Sequence, residues 1–268
     1  FLMGADEWRN ETDWPPPDAR IEEWHLRGDG RANTARGDGR LSREPAGHEA
    51  PDAFLADPRD PVPTIGGPTL NRGGGIGWMA GPFDQRPIES RADVLCYTSE
   101  PLARPLDVIG TVEAVLHVAS SALDTDITAK LVDVHPDGRA EILTDGILRA
   151  RYRTSTTQPT LLTPGEVYAF PVDLWATANT FKAGHRIRVA VTSSSTSGPD
   201  RGLLGLHATK IATNPATRRI AAPSLLQRGS QHDEAIDRRL DMEVRRARVA
   251  LCMEDVHRIR ATDGDAEG

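Results

Sequence analysis

Residues 106–118 alternate between two sets of side chains, and this alternation constrains the fold more strongly than any other feature of the chain. Val108, Val112 and Leu116 occupy one set of positions, whereas Thr111 and Glu113 belong to the other. Successive side chains of a β-strand point to opposite faces, and β-branched residues are enriched in strands. The segment is therefore predicted to form a long strand.

Comparable segments at short spacing predict further strands in the middle of the chain. Pro136-Asp137-Gly138 lies between two of them and is a strong signal for a β-hairpin. No helical pattern alternates with these strands, so an all-β antiparallel sandwich is predicted and parallel β-α-β units are not. The other predicted strands are 94–97, 128–134, 139–143, 146–153, 167–174 and 186–192.

The C-terminal part of the chain has a different pattern. Ile236, Leu240, Val244, Ala247 and Leu251 follow one another at spacings of four, four, three and four. This spacing places apolar side chains on one face of a helix. An amphipathic helix is therefore predicted over 233–260, and the closing apolar strand of a sandwich is not evident.

Composition excludes several classes of protein. The 268 residues carry a formal net charge of −7, which argues against general nucleic-acid binding. The mean hydropathy is −0.44, and no apolar run approaches the ~18–20 residues of a membrane-spanning helix. Two cysteines cannot supply a disulfide-rich framework or a four-thiolate zinc site. We therefore expect neither nucleic acid nor a membrane as a partner.

Motifs for catalysis and metal binding are not evident. The nucleophile elbow of an α/β-hydrolase requires Gly-x-Ser-x-Gly, which the chain lacks. The eight histidines form no His-x₃-His pair. Asp124 and Asp126 could contribute oxygen ligands to Ca²⁺, but a polar turn before the next strand is the favoured interpretation. No catalytic residue, metal or cofactor is expected in this chain.

Arginine and tryptophan residues leave further alternatives open. Arg149, Arg151 and Arg153 would form a basic stripe on one strand face. Such a stripe suits either a bound anion or pairing with carboxylates on neighbouring strands, and pairing is favoured. Three tryptophans near the N-terminus favour packing at an interface, with sugar stacking as the alternative. These are Trp8, Trp14 and Trp24.

Several sequence blocks in a fixed order resemble the C-terminal domain of the CocE/NonD hydrolases. This family includes cocaine esterases, α-amino acid ester hydrolases and Xaa-Pro dipeptidyl-peptidases. The most specific block runs from residue 124 to residue 139, and the resemblance spans roughly residues 1–195. The blocks are 3–9, 13–15, 60–67, 84–86, 93–102, 124–139, 145–153 and 184–194.

The resemblance implies a jelly-roll β-sandwich of the galactose-binding-like type. In the family, this domain follows an α/β-hydrolase domain that carries a Ser-Asp-His triad. None of the triad lies within the blocks found here, so no catalytic residue is implied and the chain is predicted to be inactive alone. The chain starts at Phe1 and not at methionine, which is typical of a fragment of a longer hydrolase.

The resemblance also implies a role for the segment that follows Gly66 and Gly67. In the family, this loop leans over the catalytic pocket and shapes the cavity for the acyl side of the substrate. The corresponding loop here extends over 68–82 and contains a glycine-rich run at 73–77. The residues predicted to form the substrate-pocket wall are Leu70, Asn71, Trp78 and Met79.

Three regions are predicted along the chain. Residues 1–25 would connect to the α/β-hydrolase domain, residues 26–195 would form the jelly-roll sandwich, and residues 196–268 would form an atypical tail. The family blocks end abruptly near residue 195. A shift of reading frame at that point is favoured over divergence of the terminus.

The predicted function is that of a non-catalytic domain of a CocE/NonD-type serine hydrolase, either Xaa-Pro dipeptidyl-peptidase-like or an ester hydrolase. The domain would shape the substrate pocket and pack on the catalytic domain, its predicted partner. The parent would act on an acyl ester or an Xaa-Pro peptide. The alternative is a stand-alone carbohydrate-binding, galactose-binding-like module with Trp78 as a stacking platform. A homodimer is left open, and a cytoplasmic location is expected.

Overall fold

The computed structural model describes residues 1–68, 80–194 and 240–254 of the chain. These residues form ten β-strands, a single helical turn and a short 3₁₀ helix, Ala150–Tyr152. The helical turn, α1, is Arg86–Glu89. The strands are β1 (Arg20–Arg27), β2 (Arg40–Ser42), β3 (Asp52–Ala56), β4 (Leu95–Thr98), β5 (Leu106–Ser120), β6 (Asp126–Val134), β7 (Ala140–Arg149), β8 (Val167–Phe181), β9 (Arg186–Thr192) and β10 (Leu240–Glu254).

The strands form one continuous hydrogen-bonded sheet in the order β7-β6-β9-β4-β2-β1-β10-β5-β8, with β3 paired to β10. Neighbouring strands are antiparallel, except at the short parallel contact between β2 and β4. The sheet curls so that its two outer strands meet. There the Thr144 hydroxyl of β7 donates a hydrogen bond of 2.5 Å to the Leu174 carbonyl of β8. The curled sheet thus closes into the two layers of a sandwich.

The core lies between the layers and is built from alternate residues of the long strands. Along β5, Val108, Val112 and Leu116 are buried, whereas Thr111 and Glu113 are exposed. The predicted alternation is therefore confirmed, and so is the all-β jelly-roll sandwich; the galactose-binding-like subtype stays a prediction. The largest fully buried side chains are Tyr97, Phe170, Phe181, Leu95, Leu116, Ile127, Leu131, Ile142, Leu174, Ile187 and Leu251.

The predicted strands in the middle of the chain are confirmed, but two of them are a single strand in the structure and β8 extends past the predicted end to Phe181. The segments 139–143 and 146–153 do not form two strands, because β7 runs without interruption and ends at Arg149. Its continuity follows from β6, which pairs with it from Val134 opposite Ala140 to Asp126 opposite Arg149. The remaining residues of the second segment enter the 3₁₀ helix.

The predicted helix over 233–260 is wrong where the structure describes it, because Leu240–Glu254 form β10. This strand lies between β1 and β5 and pairs antiparallel with both. Leu251 and Met253, two positions apart, are both buried, as strand periodicity requires. Without β10, the facing edges of β1 and β5 would lack hydrogen-bonding partners. Tertiary pairing therefore outweighs the local helical spacing, and the sandwich has a closing strand.

The described residues contain no helix that is long and apolar enough to cross a membrane. The division of the chain at residues 25 and 195 stays a prediction, and so does the shift of reading frame. β1 contains residue 25 and lies within the sheet.

Candidate functional site

The predicted pocket-wall segment is visible at its two ends. Gly67 and Gly81, which flank the 69–79 segment, exchange backbone N–H···O hydrogen bonds of 2.9 and 3.0 Å. Gly66 has φ +68°, and a Cβ there would lie 2.5 Å from the Gly81 carbonyl oxygen, so this turn requires glycine. The predicted wall residues themselves lie outside the described residues; they are Leu70, Asn71, Trp78 and Met79.

Gln85, the central residue of the 84–86 block, links the residues that flank the 69–79 segment to the sandwich. Its Nε2 donates hydrogen bonds to the carbonyls of Ile65 at 2.7 Å and Phe83 at 3.0 Å, one on either side of the 69–79 segment. Its backbone N–H donates to the Ala140 carbonyl of β7 at 2.7 Å. The Ile142 N–H of β7 donates to the Phe83 carbonyl at 3.2 Å. Ile65 and Phe83, on either side of the segment, are thereby linked to the outer strand β7.

Three charged side chains are buried close to Gln85. Lys130 of β6 is 2% exposed and directs its Nζ toward the Gln85 Oε1 at 3.4 Å. Arg188 of β9 pairs with Glu89 of α1, and its Nη1 lies 2.5 Å from the Glu89 Oε2. The Arg188 Nε also donates to the Thr98 Oγ1 of β4 at 2.8 Å. These contacts join α1 to the strands beside it through charge-assisted hydrogen bonds.

Burial shifts the pKa values of Glu89 and Lys130 in the expected directions. Burial raises the pKa of Glu89, while the positive charges of Arg188 and Lys130 oppose that shift. Burial lowers the pKa of Lys130, opposed by Asp145 and Glu89. Asp145 lies directly opposite Lys130 in the pairing of β6 with β7. Each charge therefore depends on its partners, and Gln85 contacts this charge-paired interior through Lys130.

Cys96 packs beside this group in a small apolar cluster with Val62, Ile88 and Val94. Burial, together with the negative charge of Glu89, raises the pKa of the Cys96 thiol to about 12 from an ordinary value of 9.0. The thiolate fraction at pH 8 is therefore lowered by about a thousandfold.

We expect the Cys252→Ser variant to show no reaction with iodoacetamide at pH 8 while native, and one reactive thiol in urea. Stoichiometric labelling of the native variant would contradict this burial.

Residues 1–9, called here the N-terminal segment, dock along the outer strand β8. The Thr180 N–H donates to the Met3 carbonyl at 2.8 Å. Arg9 pairs with the buried Asp107 of β5 at 2.9 Å. A Cβ at Gly4 would lie 2.3 Å from the Thr180 carbonyl oxygen, so glycine permits this close approach. The segment is therefore an integral part of the sandwich.

The N-terminal segment carries an exposed aromatic pair. Trp8 is 83% exposed and Phe1 is 53% exposed, and their ring centroids lie 5.3 Å apart. Trp14 is also 53% exposed. Trp24 differs, because it is buried and the Arg43 guanidinium carbon lies 4.7 Å from its ring centroid. Trp8 and Trp14 are thus accessible for an interface, whereas Trp24 packs within this sandwich.

Trp24 also lines a cleft of about 560 Å³ between β1, β2 and residues 98–103. Arg40, Arg43 and Glu44 line the same cleft. The Arg43 guanidinium lies over the Trp24 ring and the residue is only 5% exposed, so the ring offers little free surface for stacking against a sugar. The cleft therefore does not favour the carbohydrate-binding alternative.

The predicted basic stripe forms ion pairs. Arg149 donates from Nε and Nη2 to the two carboxylate oxygens of Asp126, at 2.8 and 2.7 Å. Arg151 pairs with Asp124, with 2.6 Å between its Nε and the Asp124 Oδ2. Pairing with carboxylates is therefore confirmed for both arginines, and the two aspartates are engaged by them. Arg153 instead lies over the ring of Tyr168, at 4.3 Å from its centroid.

The structure also brings together a cluster that sequence spacing does not reveal. Asp133, His135 and His185 offer ligand atoms that all lie within 4.8 Å of one another. The two histidines are separated by fifty positions, and no local motif connects them. Only the pairing of strands indicates that the two histidines meet. Val134 lies opposite Arg186 in the register of β6 with β9, which brings the adjacent His135 and His185 together.

Comparison with known proteins places this sandwich in a family. The sequence profile of the X-Pro dipeptidyl-peptidase C-terminal non-catalytic domain matches residues 1–237. The chain belongs to this family. The match continues beyond residue 195, where the sequence blocks of the resemblance end. The resemblance to the C-terminal domain of CocE/NonD hydrolases is thereby confirmed.

Relatives of this non-catalytic domain are parts of larger hydrolases. Cocaine esterase of Rhodococcus sp. strain MB1 Bresler is 49% identical over 236 residues, which are 88% of this chain and 40% of that esterase. An aminopeptidase from the marine sediment archaeon Thaumarchaeota archaeon superimposes with a TM-score of 0.71 and 27% identity, over 95% of this chain and 40% of that chain. An α-amino acid ester hydrolase shares the fold, with a TM-score of 0.67 and 24% identity over 92% of this chain and 38% of that chain. The chain thus spans about 40% of the length of the esterase it matches.

Proposed function

We propose that the chain is the non-catalytic domain of a CocE/NonD-type serine hydrolase and that it packs against an α/β-hydrolase domain. The family match over residues 1–237 carries this proposal. Support comes from the relatives, in which the matching region makes up about two fifths of a longer hydrolase. The remaining length of those proteins is ample for a catalytic domain of its own.

The N-terminal segment supports a specific contact surface for that packing. Exposed aromatic side chains are enriched in protein interfaces because they bury a large area at low cost in conformational entropy. Phe1 and Trp8 are exposed, yet their backbone is fixed on β8 through Met3 and on β5 through Arg9. A fixed aromatic pair of this kind is suited to insertion into a partner surface.

The 69–79 segment supports a second role, as part of the wall of the parent's substrate pocket. A pocket wall requires a base that does not shift when substrate binds. Gln85 and the Gly67–Gly81 pairing provide such a base on both sides of the segment. We propose an acyl ester as the substrate class, in preference to an Xaa-Pro peptide, because the relative that is 49% identical is an esterase.

A domain exchange tests the proposed function. We replace the matching 40% of the Rhodococcus cocaine esterase with this chain and measure hydrolysis of p-nitrophenyl acetate. The exchanged protein is expected to be monodisperse and to hydrolyse the ester, whereas the chain alone gives no turnover above a heat-killed control. Turnover by the chain alone, or an exchanged protein that aggregates although the chain alone melts cooperatively, would overturn the proposal.

Trp8→Ala in the exchanged protein tests the contact surface. Loss of a buried interface tryptophan costs about 2 kcal/mol or more, so the melting temperature of the exchanged protein is expected to fall. The isolated chain is expected to change by less than about 0.5 kcal/mol, because Trp8 is exposed there. Ile21→Ala is the matched control, since Ile21 is 72% exposed and lies outside the N-terminal segment. An equal effect of Trp8→Ala on both proteins would exclude this surface.

A further inference from the structure

The cluster of Asp133, His135 and His185 lies at one end of the sandwich, where two turns meet beside the end of β6. In the turn between β6 and β7, the His135 N–H donates to the Arg139 carbonyl at 2.8 Å. In the turn before β9, the His185 N–H donates to the Lys182 carbonyl at 3.0 Å. β6 and β9 are antiparallel neighbours, so the end of one strand lies beside the start of the other. The backbone therefore holds all three residues at the same end of the sandwich.

The distances within the cluster are close to those of a metal site. The His185 Nδ1 lies 2.9 Å from the Asp133 Oδ1, and the ring centroids of His135 and His185 are 4.4 Å apart. One ligand atom from each residue lies within 4.8 Å of the other two. Ligands of a tetrahedral zinc ion, each about 2.1 Å from the metal, are separated by about 3.4 Å. Side-chain rotations alone can therefore close the remaining distance.

The surroundings favour a cation. Asp133 is 5% exposed and His185 is 8% exposed. A carboxylate removed from water is costly unless it is paired, so Asp133 gains from a nearby positive charge. A second carboxylate is present, because Glu141 lies opposite Asp133 in the β6–β7 pair and its Oε2 is 3.1 Å from the His135 Nε2.

In the structure, the Arg139 guanidinium contacts two side chains of this region, Glu141 and His135. Its Nη1 lies 2.8 Å from the Glu141 Oε1, and its Nη2 lies 3.1 Å from the His135 Nδ1. The Arg139 side chain is 47% exposed. It can therefore turn into solvent at low cost and release both partners for a metal ion.

We propose that Asp133, His135 and His185 bind a divalent transition-metal ion of the Zn²⁺ class, with Glu141 in the fourth position. Two imidazoles and two carboxylates form a donor set that suits Zn²⁺ and related transition metals, whereas Mg²⁺ and Ca²⁺ prefer all-oxygen sites. The ion would join the β6–β7 turn to the turn before β9. The site is a property of this sandwich alone and does not depend on the proposed function.

Zn²⁺ titration of the chelator-treated full chain tests the site by calorimetry and by competition with a chromophoric chelator. The chain contains eight histidines, so the result is the difference between variants and not binding by itself. His135→Phe and Asp133→Asn are each expected to weaken Zn²⁺ binding by about tenfold or more. His48→Ala, which removes an exposed histidine outside the cluster, is expected to leave the affinity unchanged. Equal Zn²⁺ affinity of the unsubstituted chain and His135→Phe, or no Zn²⁺ binding by the unsubstituted chain, would overturn the proposal.

Two further measurements keep the result independent of misfolding. Co²⁺ added to the unsubstituted chain is expected to give the intense visible absorption of a tetrahedral site, and this band is expected to disappear in His135→Phe. Zn²⁺ is expected to raise the melting temperature of the unsubstituted chain but not of His135→Phe, since a ligand stabilises the state that binds it. Mg²⁺ and Ca²⁺ are expected to have neither effect. A Co²⁺ spectrum of octahedral type, unchanged by His135→Phe, would exclude the cluster as the ligand set.

Discussion

Arg188→Leu lowers the free energy of unfolding by about 3–5 kcal/mol, because it leaves the carboxylate of Glu89 buried without its main partner. Glu89 is 1% exposed, and one of its oxygens already lacks a hydrogen bond in the parent chain. Thr98 also loses the donor that reaches its hydroxyl from Arg188. Urea unfolding at pH 7 measures the loss, and a thermal scan is expected to show a fall in melting temperature of about 10 °C.

The dependence on pH identifies Glu89 as the cause. Burial already raises the pKa of Glu89 above its ordinary value of 4.5, and loss of Arg188 removes the largest opposing contribution. A carboxyl group whose folded-state pKa is raised contributes stability below its unfolded-state pKa and loses it as the pH rises through the folded-state value. The defect of Arg188→Leu is therefore expected to be smaller at pH 4.5 than at pH 7. A defect that does not change over this range would contradict the assignment.

Two variants serve as controls for the buried pair. Removing both charges in Glu89→Met/Arg188→Leu is expected to restore much of the lost stability, because neither member of the pair is then buried without its partner and Lys130 keeps Asp145. Arg59→Leu breaks the exposed pair with Asp57 and is expected to cost less than about 1 kcal/mol. A double variant less stable than Arg188→Leu would show that packing, and not charge pairing, determines the effect.

The strands that sequence predicts correctly are those with a strong local signal. β5 has a clean alternation, and the β6–β7 hairpin has Pro136-Asp137-Gly138 at its turn. β8 extends past residue 174 to Phe181 because its last polar residues find partners in the fold. The Thr180 hydroxyl, for example, donates to the Asp107 Oδ1 at 2.6 Å. Such pairing depends on another strand and leaves no apolar alternation in the sequence.

β10 shows the opposite failure, in which a local pattern points to the wrong structure. The helical spacing of its apolar residues is real, but hydrogen bonds to β1, β3 and β5 determine the conformation. The three strands in the first third also escape prediction. β2 and β3 contain only three and five residues, and in the eight-residue β1 only Trp24 and Leu26 are buried. Segments with so few buried apolar positions give a weak signal for a period of two.

The site is predictable from sequence only in outline. The family blocks indicate the 69–79 segment, but they do not show that Gln85 fixes both of its ends. They also do not show that Lys130, Glu89 and Arg188 meet beside it, because these residues come from three separate elements of the fold. Contacts between distant segments follow from the register of the strands, which the alternation of a single strand cannot specify.

Gly146→Ala destabilises the sandwich by about 3 kcal/mol, the upper end of the cost of overpacking. A Cβ at this position would lie 2.0 Å from the carbonyl oxygen of Asp173 and 3.2 Å from the Cγ1 of Val172. The obstructing atom belongs to the backbone of β8, so no side-chain rotation can relieve the contact. β7 and β8 would have to separate where the outer strands of the curled sheet meet, close to the hydrogen bond between Thr144 and Leu174. Urea unfolding of the full chain measures the loss.

The backbone conformation at Gly146 gives this variant a sharp control. Its φ is not in the left-handed region, so alanine fits the strand itself and would by itself be favoured by about 0.5–1 kcal/mol. Any loss of stability therefore measures the close approach of β7 to β8. Gly47→Ala is the matched variant, because Gly47 also lacks a positive φ and no atom beyond its two chain neighbours lies within 4 Å of its Cβ position. We expect that variant to be unchanged or slightly stabilised. A Gly146→Ala variant as stable as Gly47→Ala would show that the two outer strands do not pack as closely as described.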